Sequence, residues 1–350
     1  MAPLTRFRAD EDHVQLPKSL VYYTQRASTP GTLIIAEATY PSPKHTGGEH
    51  SPGLWSQAQI EAWRKVTEAI HAKGSFIYCQ LCAPGRAGSK NGYSPYSPSP
   101  IPMTPGGPVP QEMSEDDIIE CIQAFKVAAE NAIAAGFDGI ELHGANGYLI
   151  DQFTQDICNV TTDKWGGSVE NRARFLLEIT KACVDTIGSD RVAVRLSPWS
   201  TFQGMKMDTA LATEQFSYVI QKLKDIQLSY LHLIESRVIN SIDTEKVEGL
   251  EFAFDIWKNQ SPVVVAGGFD RDSAMKAVDH EYKETNTLVA FGRFFVSTPD
   301  LVFRILHGLE PNPYDRSTFY TPVQSKGYID YPFSEEYLKS EEYRATSMLN

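Results

Sequence analysis

The chain has 350 residues, 42% of them apolar and 22% charged, and a formal net charge of −12. An acidic surface repels phosphate backbones and anionic headgroups, so nucleic acid and anionic membranes are excluded as partners. No stretch approaches about 18 apolar residues, which excludes a membrane-spanning helix.

The start, Met1-Ala-Pro-Leu-Thr-Arg6, carries neither a basic nor an apolar leader region. Five cysteines, an odd count in a long chain, point to reduced thiols and a cytoplasmic location.

Short apolar runs alternate with amphipathic helical patterns. Gly31-Thr-Leu-Ile-Ile-Ala-Glu37 reads as a buried strand. Ser56 opens a helix in which Ser-x-x-Gln59 is a capping box. Ile60, Trp63, Val66 and Ile70 form its apolar stripe and Gly74 ends it. Ser75–Leu81 is the next strand. The Pro/Ser/Gly-rich segment 83–111 is too long for a tight connection and reads as an excursion over one face.

A second helix starts at Ser114, with Asp117 three residues on. It places Ile118, Ile122, Phe125 and Ala129 on one face and ends at Gly136. Strand Asp138–Leu142, helix Val169–Ile187, strand Val192–Leu196 and helix Ala210–Lys224 follow. Strands Tyr230–Ile234, Val263–Ala266 and Leu288–Phe291 complete the series, with a helical stretch over Asp270–Val278 between the last two.

Seven buried strands separated by helical crossovers imply a parallel sheet with right-handed connections. With Ala2–Leu4 as the stub of a further strand the count is eight, that of a closed (β/α)8 TIM barrel. The chain is read as a single domain over 1–350, with the excursion at 83–111 and a C-terminal extension at 309–350. An open doubly wound sheet is the alternative. No glycine-rich dinucleotide fingerprint follows the first strand, which counts against it.

Barrel enzymes carry their chemistry at the C-terminal ends of the strands. Those positions hold Thr5, Ala38, Gln80, His143, Arg195, Gly267-Gly268 and Gly292-Arg293. Gly267 and Gly268 let backbone approach an anion closely, and Arg293 can fork onto phosphate oxygens. A capping turn and a surface arginine would account for the same residues equally well.

The segment His143-Gly-Ala-Asn-Gly-Tyr-Leu-Ile-Asp-Gln-Phe153 is the most informative. His143 and Asn146 are neighbouring donors suited to a carbonyl oxygen on which negative charge develops. Tyr148 can deliver a proton as a general acid. A lone histidine in such a loop is more often structural, but three such groups in six residues favour a site. Cys79-Gln-Leu-Cys82 has redox spacing, yet residues three apart on a strand point to opposite faces. No group has zinc-ligand spacing, and there is no P-loop or nucleophile elbow.

His143–Phe153, followed by Thr162-Asp-Lys-Trp-Gly-Gly-Ser-Val-Glu-Asn-Arg-Ala-Arg-Phe175, resembles the signature of the Old Yellow Enzyme family. Pro3-Leu-Thr-Arg6, Tyr22-Tyr-Thr-Gln-Arg26, Arg195-Leu-Ser-Pro198, Gly292-Arg-Phe-Phe295 and Gly327-Tyr-Ile-Asp-Tyr-Pro332 match in the family's order along the whole chain. The resemblance is strongest to fungal members, several of which serve secondary metabolism.

It implies non-covalent FMN on a barrel, reduced by NADPH or NADH, and an enone or enal substrate. Pro3, Leu4 and Thr5 would lie along the flavin, Ala38 and Gln80 would touch its ring, and Arg195 would sit at its N1/O2 edge. Gly267, Gly268, Gly292 and Arg293 would hold the phosphate. His143 and Asn146 would bind the substrate carbonyl, Tyr148 would protonate the α-carbon, and Tyr320 would line the pocket. Cys82 stands where yeast relatives carry tryptophan, which implies a larger or differently oriented substrate.

The resemblance also marks the chain as N-terminally truncated. Relatives carry a capping hairpin and most of the first strand ahead of Pro3. An unpaired barrel edge and a thin floor are therefore expected. The activity implied is that of an ene-reductase acting as a monomer or homodimer. The alternatives are a redox-neutral isomerase or epimerase on the same site, and a non-catalytic barrel.

Overall fold

In the computed structural model, residues 1–88, 95–236, 238–239, 242–243 and 248–347 are described. Part of the 83–111 excursion and the last three residues of the 309–350 extension lie outside them.

The seven predicted strands form at β1 Leu33–Ile35, β2 Phe76–Leu81, β3 Gly139–Gly144, β4 Val192–Leu196, β5 Tyr230–Ile234, β6 Val263–Ala266 and β7 Thr287–Ala290. All neighbours pair in parallel, in chain order. The segment ahead of β1 forms no strand of its own, yet it sits between the two edges. The Met1 amino group donates to Leu33 O at 2.6 Å, Ile35 N donates to Met1 O at 3.0 Å, and Ala2 N donates to Phe291 O at 2.9 Å. Met1 and Ala2 thus close the ring of a (β/α)8 barrel. The unpaired edge expected from the sequence is absent, because two residues suffice to bridge strands as short as β1 and β7.

Phe76 and Leu288 stand at inward positions on β2 and β7, in register with the chain of interior residues, and are 52% and 46% exposed at the barrel floor.

Alternation along the strands sorts the side chains. Ala2, Ile35, Ala193, Tyr230, Val264, Ala266 and Ala290 pack together inside the ring. Ile34, Ile77, Cys79, Ile140, Leu142, Val192 and Val194 face outward, buried in the main core that the helices cover. Each such aliphatic side chain taken out of water contributes about 1.5–3 kcal/mol.

The covering helices begin where the caps place them. In α2, Gln57–Ala72, and α3, Glu115–Ala134, both halves of the capping box are made, by Ser56 with Gln59 and by Ser114 with Asp117. The long helices α5, Val169–Ile187, and α6, Thr209–Ile226, start at Ser168 and Asp208, whose side chains accept from the first turn.

Several helices escape sequence periodicity. Pro17–Arg26, α1, buries Tyr22, Tyr23 and a charged residue, Arg26, so it shows no plain apolar stripe. Leu149–Thr154, α4, is buried at all six positions and has no polar face to mark it.

Three buried arginines tie the start of the chain to its end. Arg6 donates to the carbonyls of Phe319 and Gly327 at 3.1 and 2.8 Å. Arg8 donates to Thr318 O at 2.9 Å and Gln324 O at 3.0 Å. Arg26 donates to Tyr328 O at 3.2 Å and lies 3.7 Å from the Tyr22 ring centroid. This clamp holds the segment carrying Tyr320 over the C-terminal end of the barrel.

Candidate active site

Register and alternation bring the functional side chains together. His143 on β3, Arg195 on β4 and His232 on β5 are partners across the ladder, so all three point inward. Two residues below His143 on the same face lies Glu141, paired with Gln80 on β2. Gln80, His143 and Arg195 thus sit inside the C-terminal ends of their strands rather than in the loops beyond.

Glu141 is the hub of a buried network. Its carboxylate accepts from Gln80 Nε2 at 2.7 Å, His232 Nδ1 at 2.7 Å and the Tyr230 hydroxyl at 3.0 Å. Burial opposes its charge, but His232, Arg195 and Gln80 outweigh burial and hold the carboxyl below its usual range. Sequence reasoning passed over Glu141, Tyr230 and His232. The signal was there: polar residues two apart on otherwise apolar strands, Glu141 with His143 and Tyr230 with His232.

Above the network the chain turns sharply. Asn146 has φ +57 and Gly147 has φ +74. The Asn146 N–H donates to Ser197 Oγ at 2.7 Å, and the Gly147 N–H to Asp151 Oδ2 at 2.8 Å. At Gly147 a Cβ would stand 2.7 Å from Met205 Cγ and 3.0 Å from Gln203 Cβ, so the neighbouring loop requires glycine there. The elbow delivers Tyr148 to the N-cap of α4, its ring edge-to-face with His143 at 4.7 Å.

Burial governs the charges at this mouth. It pushes His143 down to about 3, helped by Arg195, so the imidazole is neutral and available as a donor. It pushes the Tyr148 hydroxyl up, helped by Cys82, Tyr40 and Tyr320, so the proton stays on. Cys82 is buried, and burial raises its thiol as well. Tyr320 is half exposed, packed edge-on against Phe7 and Phe319.

The predicted phosphate residues lie on the same end of the barrel. Gly267 and Gly268 follow β6, the latter with φ +70; a Cβ on Gly267 would stand 3.0 Å from Glu235 Cβ. Gly292 follows β7, and a Cβ there would meet Leu4 Cδ1 at 3.7 Å, which places Leu4 beside it. Arg293 Nη1 donates to the Tyr314 hydroxyl at 3.2 Å. The rings of Tyr314, Phe319 and Tyr320 run in contact away from Arg293. Pro3 is buried and Thr5 half-buried beside Leu4, and Ala38 lies half-buried where Thr39 N donates to Gln80 O at 2.8 Å. Gln80, His143 and Arg195 thus point into the barrel, and Gly267-Gly268 and Gly292-Arg293 follow the C-terminal ends of β6 and β7.

Three buried polar atoms at that rim have no hydrogen-bond partner among the described residues: Arg195 Nε, His143 Nδ1 and His232 Nε2. Orphaned groups of this kind call for a bound polar molecule. The Arg195 guanidinium inside the ring, with a glycine pair and Arg293 at its edge, fits the polar edge and phosphate of a flavin nucleotide, and the free His143 nitrogen fits a carbonyl oxygen above it. Among the described residues no group of His, Cys, Asp and Glu could hold a metal ion.

Comparison with known proteins agrees with the geometry. Residues 1–312 match the family described as NADH:flavin oxidoreductase / NADH oxidase. The chain is 49% identical over 351 residues to the chanoclavine-I aldehyde reductase of Penicillium roqueforti, covering 99% of this chain and 95% of that one. It is 46% identical over 358 residues to a Claviceps fusiformis protein named a probable inactive dehydrogenase, with coverage of 98% and 92%. The crystal structure of Old Yellow Enzyme from a Pichia species superposes with a TM-score of 0.86 at 36% identity, covering 96% of this chain and 89% of that one.

Proposed function

The chain belongs to the NADH:flavin oxidoreductase / NADH oxidase family, and on that premise we propose that it is an ene-reductase, saturating the double bond of α,β-unsaturated carbonyl compounds in fungal secondary metabolism. It is an FMN- and NAD(P)H-dependent oxidoreductase of the Old Yellow Enzyme type. FMN, when bound, supplies the hydride chemistry and is reloaded by the nicotinamide, for which we take NADPH.

The observation that carries the reading is a neutral His143 packed against a protonated Tyr148 at 4.7 Å. His143 and Asn146 donate to the carbonyl oxygen and so draw electrons from the conjugated alkene. Tyr148 gives its proton to the α-carbon, which completes saturation once hydride has reached the β-carbon, and it is recharged from solvent. Arg195 would hold the polar edge of the flavin, and Gln80, Ala38, Pro3, Leu4 and Thr5 would line the space for its ring. Gly267, Gly268, Gly292 and Arg293 would hold the phosphate. Cys82 and Tyr320 bound the substrate space.

We also place the protein in the cytosol. All five cysteines are free and buried, and no helix among the described residues is long and apolar enough to cross a membrane.

The test is anaerobic. NADPH should bleach the yellow protein and a cyclic enone should restore its colour, with one NADPH consumed per saturated product. Tyr148→Phe should slow recolouring by about 10²–10⁴-fold and leave bleaching unchanged. Product formed without net NADPH consumption would make the protein an isomerase. Absence of any recolouring across a panel of cyclic and polycyclic enones would make it a non-catalytic barrel.

A further inference from the structure

We infer that Glu141 is a positioning residue for the flavin site: it dictates which atoms of Gln80, Tyr230 and His232 are left to face the barrel interior, and its charge offsets Arg195 there. The inference rests on the reading of this cleft as the seat of the flavin.

An ionised carboxylate can only accept, so the direction of every hydrogen bond into Glu141 is fixed. Glu141 Oε1 takes the Gln80 amide at 2.7 Å, and Gln80 therefore turns an N–H toward Glu141 and its carbonyl oxygen away. Glu141 Oε2 takes the Tyr230 hydroxyl at 3.0 Å and His232 Nδ1 at 2.7 Å. The His232 proton then belongs on Nδ1. Its Nε2 is left as a bare acceptor, buried and with no partner among the described residues. No neutral side chain in the place of Glu141 could impose both directions. An amide has one accepting and one donating end, so one side of the network would have to reverse.

Position makes those directions matter. Gln80 and Glu141 are partners across β2 and β3, and His143, Arg195 and His232 are partners across β3, β4 and β5. All five point inward and all five are buried, so one carboxylate orders the polar wall of the cleft. Of these five, Glu141 and Arg195 carry the charge, because burial keeps His143 and His232 neutral. The wall is neutral with Glu141 in place and carries one positive charge without it. Reduction adds negative charge to a flavin, and charge beside the ring is a lever by which a protein tunes it. Glu141 thus restrains the pull that Arg195 alone would exert on the reduced form.

The first measurement uses the holoenzyme as it stands. With ring-15N histidine, His232 should show its proton on Nδ1 and a bare Nε2, its signals assigned by their loss in His232→Gln. The second is the midpoint potential of bound FMN, by equilibration with a reference dye, in the parent and in Glu141→Gln. The variant removes the negative charge and offers one amide oxygen. That oxygen serves the two donors Tyr230 and His232, so Gln80 has to turn round and present its N–H to the interior. Both changes favour the reduced form. The reduced-to-oxidised ratio at a fixed potential should rise about tenfold, a shift of about 30 mV for a two-electron couple. Ile140→Val alters the outward face of the same strand and should leave the potential where it is.

A His232 proton on Nε2 in the parent overturns the proposal. So does a potential that Glu141→Gln leaves unmoved or lowers, or that Ile140→Val raises equally. Should Glu141→Gln load no flavin, the tautomer in the parent decides alone. Neither readout uses an enone, so a protein inert toward every enone would sink the ene-reductase reading and leave this inference standing.

Discussion

Replacing Asp151 with Asn should turn a pH-dependent stability into a flatter one. The Asp151 carboxylate is fully buried in α4, accepting from the Gly147 N–H at 2.8 Å and the Gln155 amide at 2.9 Å. Burial outweighs those bonds and pushes its pKa from 3.8 up to about 7. A group whose folded pKa is raised stabilises the fold fully below its unfolded value, and that contribution is lost as the pH rises through the folded value. The window is therefore about pH 4 to pH 7.

Within it each pH unit removes about 1.4 kcal/mol, so about 3 kcal/mol is lost between pH 5 and pH 7 and nothing further above. Asn at 151 can still accept from Gly147 through Oδ1 and never ionises. Urea unfolding followed by tryptophan emission from pH 5 to pH 8, with the same saturating FMN in both samples, isolates the difference. The gap should move in the variant's favour by about 3 kcal/mol and then level off. A gap that stays constant refutes the buried, strained carboxylate.

Two further expectations follow from the site. Arg293→Gln should weaken FMN binding by about 10–100-fold, the cost of a lost charge-assisted hydrogen bond, measured by quenching of flavin fluorescence; an unchanged Kd would remove Arg293 from the phosphate. Gly147→Ala combines φ +74 with contacts of 2.7 and 3.0 Å at the new Cβ. It should destabilise the protein by about 1–3 kcal/mol in the same urea assay; a neutral result would mean that the loop bearing Met205 and Gln203 yields freely.

What could be read from the sequence was whatever follows a period or sits at an element's boundary. The strands of the barrel announce themselves as short apolar runs, and the capping boxes at Ser56 and Ser114 form as their spacing requires. His143, Asn146 and Tyr148 were legible because they crowd into one short segment. Glu141 and His232 are different: each is a single polar residue inside an apolar strand, and only the register reveals that they meet at 2.7 Å. Gln203 lies 57 residues from its partner Asn146, and nothing in glutamine's chemistry foretells a left-handed backbone. The stub at Met1–Ala2 was expected at Ala2–Leu4, since the sequence places an apolar run but not the backbone atoms that pair.

The arginine clamp sets an order of events during synthesis. Arg6, Arg8 and Arg26 emerge early, while their carbonyl acceptors at 318, 319, 324, 327 and 328 are made some 300 residues later, as the separation of 313 between Arg6 and Phe319 records. Until then the guanidinium groups of Arg6 and Arg8 lack those acceptors, and burying them without acceptors is costly, so the opening segment gains its full hold only late. The rim that carries Tyr320 is therefore tied to the opening segment only once residues 318–328 are in place.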